Sequence, residues 1–98
     1  MNRALYLSPY EAEAHLLVGR IHLRNNRVRE AIDAFKISLW SEDTAQAHLA
    51  LGEAYVQAKD LAAARQEAER AAVLAPTSPD VRRLIEKTAD PARAPTGR

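Results

Sequence analysis

The stretch Ala12-Glu13-Ala14-His15-Leu16-Leu17-Val18-Gly19 returns as Ala45-Gln46-Ala47-His48-Leu49-Ala50-Leu51-Gly52, a step of 33 residues. A second echo flanks the first. Ala4-Leu5-Tyr6-Leu7-Ser8-Pro9 matches Ala71-Ala72-Val73-Leu74-Ala75-Pro76, 67 residues further on, or one step of 33 and one of 34. A period in this range marks stacked supersecondary units, each too small to bury its own apolar face and completed by its neighbour. Scaffolds of this kind bind other molecules more often than they transform them.

Composition agrees with one small domain of 98 residues. Apolar residues make up 47% of the chain, too many for a disordered segment. Aromatics are only 5%, and much of the apolar content is alanine. Alanine favours helix and fills little volume, so helices built from it can approach closely. Few β-branched runs leave little material for strands.

The 14 basic and 13 acidic residues leave a net charge of +1. No basic field exists to hold a phosphate backbone, so nucleic acid is not the expected partner. Arg20, Arg24, Arg27 and Arg29 cluster, but Glu30 and Asp33 follow at once, and the group reads as a solvated face of mixed charge. Cysteine is absent, which excludes disulfides, thiolate metal sites and a cysteine nucleophile. No segment approaches the roughly 20 apolar residues of a membrane span, and the first residues lack the apolar run of a signal peptide. A cytoplasmic protein, or a fragment of a longer or exported one, is expected, without membrane contact. The abundance of alanine and arginine suggests a bacterial source.

Helical spacing recurs along the chain. Ser8-Pro9 ends an apolar stub, and proline is well placed at the start of a helix. Apolar residues then fall at Ala14, Leu17, Val18 and Ile21, with Leu16 and Leu23 on a wider stripe, until Asn25-Asn26 stops the helix. A second helix is predicted from Val28 to about Trp40, carrying Ala31, Ile32, Phe35 and Leu39. Ser41-Glu42-Asp43-Thr44 is a polar break that can cap a third helix, Ala45 to about Ala58. Lys59-Asp60 separates it from a fourth, Leu61 to about Leu74. After Pro76-Thr77-Ser78-Pro79 a short helix runs to Lys87. The proline- and arginine-rich segment from Asp90 onward is expected to be disordered.

This unit of helix, tight turn and helix resembles the tetratricopeptide repeat, whose pattern sets Leu-Gly, aromatics, alanines and a closing proline at fixed steps. The second copy matches through Leu51-Gly52, Tyr55, Ala64, Ala71 and Pro76, with Ala68 in place of an aromatic. The first is looser: Val18-Gly19, His22, Ala31, Phe35, Ser38 and Asp43, one residue short in the linker after Trp40. The resemblance implies an all-α fold of antiparallel helix-turn-helix repeats stacked as a short right-handed solenoid. It divides the chain into the second helix of a truncated preceding repeat (1–9), repeat 1 (10–44), repeat 2 (45–78), a capping helix (79–88) and a disordered tail (89–98). Gly19 and Gly52 would let the two helices of one unit touch, and Phe35 and Tyr55 would plug the gap between units.

The resemblance also implies a function: a non-catalytic protein-interaction module that binds a peptide or protein segment in its concave groove. The first helix of each unit lines that groove. Leu16, Leu17, Arg20, Arg24, Leu49, Glu53, Gln57 and Arg83 are the candidate contacts, with Glu13, Leu23, Gln46, Ala50, Val56, Asp80, Leu84 and Lys87 on the same face. Leu16 and Leu49 suit core packing equally well. Some relatives grip a C-terminal carboxylate with lysines and asparagines; the corresponding places here hold Leu16, Arg20, Ala50, Asp80 and Leu84, so that clamp is not expected.

The alternative is an oligomerisation or end-cap unit that self-associates, as a homodimer, through its N-terminal edge. Leu5, Tyr6 and Leu7 are the candidates there. Trp40 joins them if it faces outward, although burial in the core is the better reading. No metal or cofactor is expected. His15, His22 and His48 could hold zinc, but they occupy places of the repeat where a large side chain packs. Phosphate loops, nucleophile elbows and zinc-protease motifs are all missing.

Overall fold

The structure, a computed structural model, describes residues 9–89. Five helices follow one another: α1 (Pro9–Arg24), α2 (Val28–Ser41), α3 (Ala45–Gln57), α4 (Leu61–Leu74) and α5 (Pro79–Lys87). No strand occurs among the described residues. The helix limits agree with those read from the periodicity to within a residue. The stub candidates Leu5, Tyr6 and Leu7, and the segment from Asp90 onward, lie outside the described residues. No helix is long and apolar enough to cross a membrane among the described residues.

The two intra-pair turns are built alike, one period apart. Asn26 and Lys59 both adopt the left-handed conformation, with φ of 64° and 65°. Arg27 N–H donates to the His22 carbonyl at 2.8 Å and Asn26 N–H to Leu23 at 3.0 Å. Asp60 N–H to Tyr55 and Lys59 N–H to Val56, both 2.9 Å, repeat the pattern. This double bond closes a helix and reverses the chain in three residues. Asp60 then caps α4 by accepting from Ala63 N–H, as Thr44 caps α3 and Ser78 caps α5. The linker between α2 and α3 is residues 42–44, that between α4 and α5 residues 75–78, which locates the missing residue of the first unit.

Helix α1 pairs with α2 and α3 with α4; α2 against α3 joins the pairs, and α5 rests on α4 and α3. The result is a short helical solenoid. Its centre is a cluster of Ala31, Phe35, Ala50, Leu51 and Ala54, ringed by Leu16, Leu23, Val28, Ile32, Leu39 and Tyr55. Burying a side chain such as Phe35, Leu51 or Leu84 contributes about 1.5–3 kcal/mol.

Gly19 leaves room for the Phe35 ring, on which an added Cβ would collide at three atoms. Phe35 thus plugs its own helix pair as well as the junction. Gly52 instead receives Leu84 of α5, whose Cδ2 lies 2.5 Å from where a Cβ would stand. Leu84 is therefore a core residue, not a groove residue: the glycine opens a hole that its side chain fills. Ser38, at a place where the repeat pattern sets alanine, is buried and its hydroxyl donates to the Ala12 carbonyl at 2.8 Å, tying α2 to α1. The expectation that Trp40 is buried is corrected. It is 82% exposed at the end of α2, because Leu39 takes the inward place one residue earlier.

Candidate functional site

A cleft of about 340 Å³ opens between α1, α3 and α5. Helix α3 supplies Gln46, Leu49, Ala50 and Glu53, at steps of three and four, so one face of the helix forms one wall. Arg20 and Leu23 project from α1, three residues apart. Asp80, Arg83 and Lys87 of α5 close the far side, and the buried Phe35 ring lies beneath. Apolar groups make the floor and charged groups the rim, the usual anatomy of a contact surface.

The charges on the rim are not equivalent. Lys87 Nζ donates to both carboxylate oxygens of Glu53 at 3.0 Å. Arg83 donates to Asp80 at 2.8 Å. Exposed pairs of this kind contribute little stability. They do neutralise two of the three cations in the cleft. Arg20 has no carboxylate partner within 4.0 Å among the described residues.

Of the eight groove candidates, Arg20, Leu49, Glu53 and Arg83 line this cleft. The other four do not. Leu16 packs against the central cluster. Leu17 lies exposed on α1, away from the cleft lining. Arg24 is exposed one turn past the cleft. Gln57 donates from its amide to Asn26 Oδ1 at 2.9 Å, bridging the two intra-pair turns. Phe35 is the lining residue that sequence reasoning missed. Its place in the repeat marked it as a plug, and the same ring both fills the gap at Gly19 and floors the cleft.

A second cluster sits on the opposite side of α3. Buried His48 meets Glu67 Oε1 through Nδ1 at 2.7 Å and Asp43 Oδ1 through Nε2 at 2.6 Å. Glu67 is itself buried and also accepts from Arg70 at 3.4 Å. Each ring nitrogen thus faces a carboxylate oxygen, and both contacts are hydrogen bonds only when a proton lies on each line. The group ties the α2–α3 linker and α3 to α4. It borders a shallow depression of about 430 Å³ whose lining, Asp43, His48, Arg70, Val73 and Leu74, contains no hydroxyl or thiol. His48 packs inward, as its place in the repeat led one to expect, but as a polar bridge between two carboxylates rather than as an apolar filler. His15, by contrast, is partly exposed and lies 3.5 Å from Glu11 one turn earlier. No group of three or more histidine, cysteine, aspartate or glutamate residues is placed to hold a metal among the described residues. A His48–Glu67 pairing leaves only a faint trace in sequence, a polar residue at an inward helical position on each of two facing helices.

No curated protein and no solved structure gives a significant match to the chain. The family model for the tetratricopeptide repeat matches residues 2–39 and again 37–79. Those spans carry the paired glycines, the alanines opposite them and the two matching turns described above. On that footing the chain belongs to the tetratricopeptide repeat family.

Proposed function

We propose that the cleft between α1, α3 and α5 binds a short segment of another protein, one that offers an apolar side chain with a carboxylate beside it. Repeats of this family are generally protein-interaction modules and typically non-catalytic scaffolds, and the proposed role is of that kind. The observation that carries the finer reading is the apolar floor of Leu23, Leu49 and Ala50 next to Arg20, whose guanidinium has no carboxylate partner among the described residues. A bound carboxylate would supply the charge that Glu53 and Asp80 already give to Lys87 and Arg83. The helices fix these groups before binding, so little ordering cost falls on the scaffold.

Selection from a displayed random-peptide library, followed by fluorescence anisotropy on the recovered peptides, tests this. Enriched peptides should place leucine or phenylalanine next to aspartate or glutamate. Arg20→Ala should weaken them roughly tenfold, the loss of one charge-assisted hydrogen bond, and Leu49→Glu should abolish binding. Peptides held equally well by Leu49→Glu would sink the assignment.

A further inference from the structure

The contacts of His48 fix a proton count. Its Nδ1 lies 2.7 Å from Glu67 Oε1 and its Nε2 2.6 Å from Asp43 Oδ1. A ring nitrogen and a carboxylate oxygen that close repel each other unless a proton lies between them. A neutral imidazole carries one N–H, and two ionised carboxylates carry none. The arrangement therefore holds one proton more than those groups do. Either an imidazolium sits between two carboxylates, or a protonated Glu67 donates to Nδ1 while Nε2–H donates to Asp43. In both cases mass action favours the arrangement as pH falls and opposes it as pH rises.

The two carboxylates are not equally able to respond. Glu67 is buried on α4, where an ionised group left without a donor is costly. The Asp43 side chain is 69% exposed and stands in the linker of residues 42–44, next to Thr44, which caps α3. When the extra proton leaves, the remaining N–H is best kept on Nδ1, facing Glu67. Nε2 then turns a lone pair toward Asp43, the partner that can withdraw into water. Asp43 also has a second place to go. Arg70 lines the same depression, is exposed, and is tied to Glu67 only by a contact of 3.4 Å. Among the described residues, Asp43 from the linker and Glu67 and Arg70 from α4 are the charged groups of this cluster.

We propose that Asp43 is a proton-operated latch between the two repeats. With the extra proton bound, Asp43 docks on His48 and fixes the α2–α3 linker. Without it, Asp43 swings toward Arg70 and the linker loosens, while the His48–Glu67 contact keeps α3 on α4. The latch lies across α3 from the cleft and shares no lining residue with it, so it stands whether or not the cleft binds peptides.

Nuclear magnetic resonance of the full chain between about pH 5 and about pH 8 tests this. The ring nitrogen shifts of His48, assigned by their loss in His48→Gln, read its protonation. The Thr44 amide signal reads the linker. The two should move together, with docking weakening by up to about tenfold per pH unit, the limit for one proton. Asp43→Asn should uncouple them, because an amide can offer Nε2 either an oxygen or an NH2 group, and the linker stays docked throughout. Glu67→Gln should also hold the linker docked, since its amide donates to Nδ1 and leaves the single ring N–H for Asp43. A wild-type Thr44 signal that does not follow His48 overturns the proposal, as does one that moves equally in Asp43→Asn. A Glu67→Gln linker that titrates like the wild type overturns it too, because the extra proton would then not be shared between the two carboxylates.

Discussion

Replacing Gly19 by alanine sets two effects of known size against each other. Gly19 lies inside α1, where alanine is better than glycine by about 1 kcal/mol. The new Cβ would meet Cε1, Cδ1 and Cζ of Phe35, a fully buried ring. A ring contacted at three atoms cannot clear the methyl by turning one bond; it must shift bodily against the central cluster. Overpacking of this kind costs about 1–3 kcal/mol. The net expectation is a loss of up to about 2 kcal/mol, or a Tm lowered by up to roughly 16 °C for a domain of this size. Gly52→Ala is the internal control. Its added Cβ meets Leu84 Cδ2 at 2.5 Å, a terminal methyl that a rotamer change can withdraw, while its other neighbours stand at an ordinary 3.5 Å. That change should fall near break-even, within about 1 kcal/mol.

Urea unfolding followed by circular dichroism measures both. A double-mutant cycle then isolates the clash. Phe35→Leu alone costs about 1–2 kcal/mol through lost packing, but in that background Gly19→Ala should become neutral or stabilising. The expected coupling is at least about 1 kcal/mol. If Gly19→Ala stabilises the wild-type chain as much as it does the Phe35→Leu variant, the glycine is not there to admit the ring, and the account of how α1 and α2 approach fails.

Two further substitutions probe the turns and the buried bridge. Lys59 holds φ of 65° at the end of α3, so Lys59→Gly should raise stability by about 1 kcal/mol; thermal melts that show no gain would deny the strain. Asn26, in the same conformation, already tolerates it, and Asn26→Gly should change the midpoint little. His48→Leu should cost about 3 kcal/mol, because it leaves the Glu67 carboxylate buried beside Arg70 alone. His48→Leu with Glu67→Leu should recover most of that loss in urea titrations, and a single variant as stable as the double would refute the bridge.

Repetition in sequence equates positions; it does not say what covers them. The pairs of equivalent residues Gly19 and Gly52, Ala31 and Ala64, and Asn26 and Lys59 carried the helix order and the turns, because each is set by local geometry or by contact with the nearest helix. What filled the space above each glycine was not legible: a ring from the same pair at Gly19, a leucine from α5 at Gly52. The same limit explains Leu84, whose spacing on α5 fits a groove wall or a core knob equally well. Trp40 was misplaced for a related reason. A large apolar residue beside Leu39 suggests burial by composition, and only the short α2–α3 linker and the inward Leu39 decide which of the two turns away.

The candidate site divides along the same line. Its wall on α3 was readable, since Gln46, Leu49, Ala50 and Glu53 share a face by helical period alone. Which cation is available was not. Arg20, Arg83 and Lys87 are alike in sequence, and they differ only because α5 carries Asp80 one turn from Arg83 and brings Lys87 against Glu53 of α3, 34 residues away. A ligand that meets the cleft therefore sees the charge of one arginine rather than three. The proposed preference for a single carboxylate beside an apolar side chain follows from that pairing, and a peptide with two adjacent acids should gain little over one.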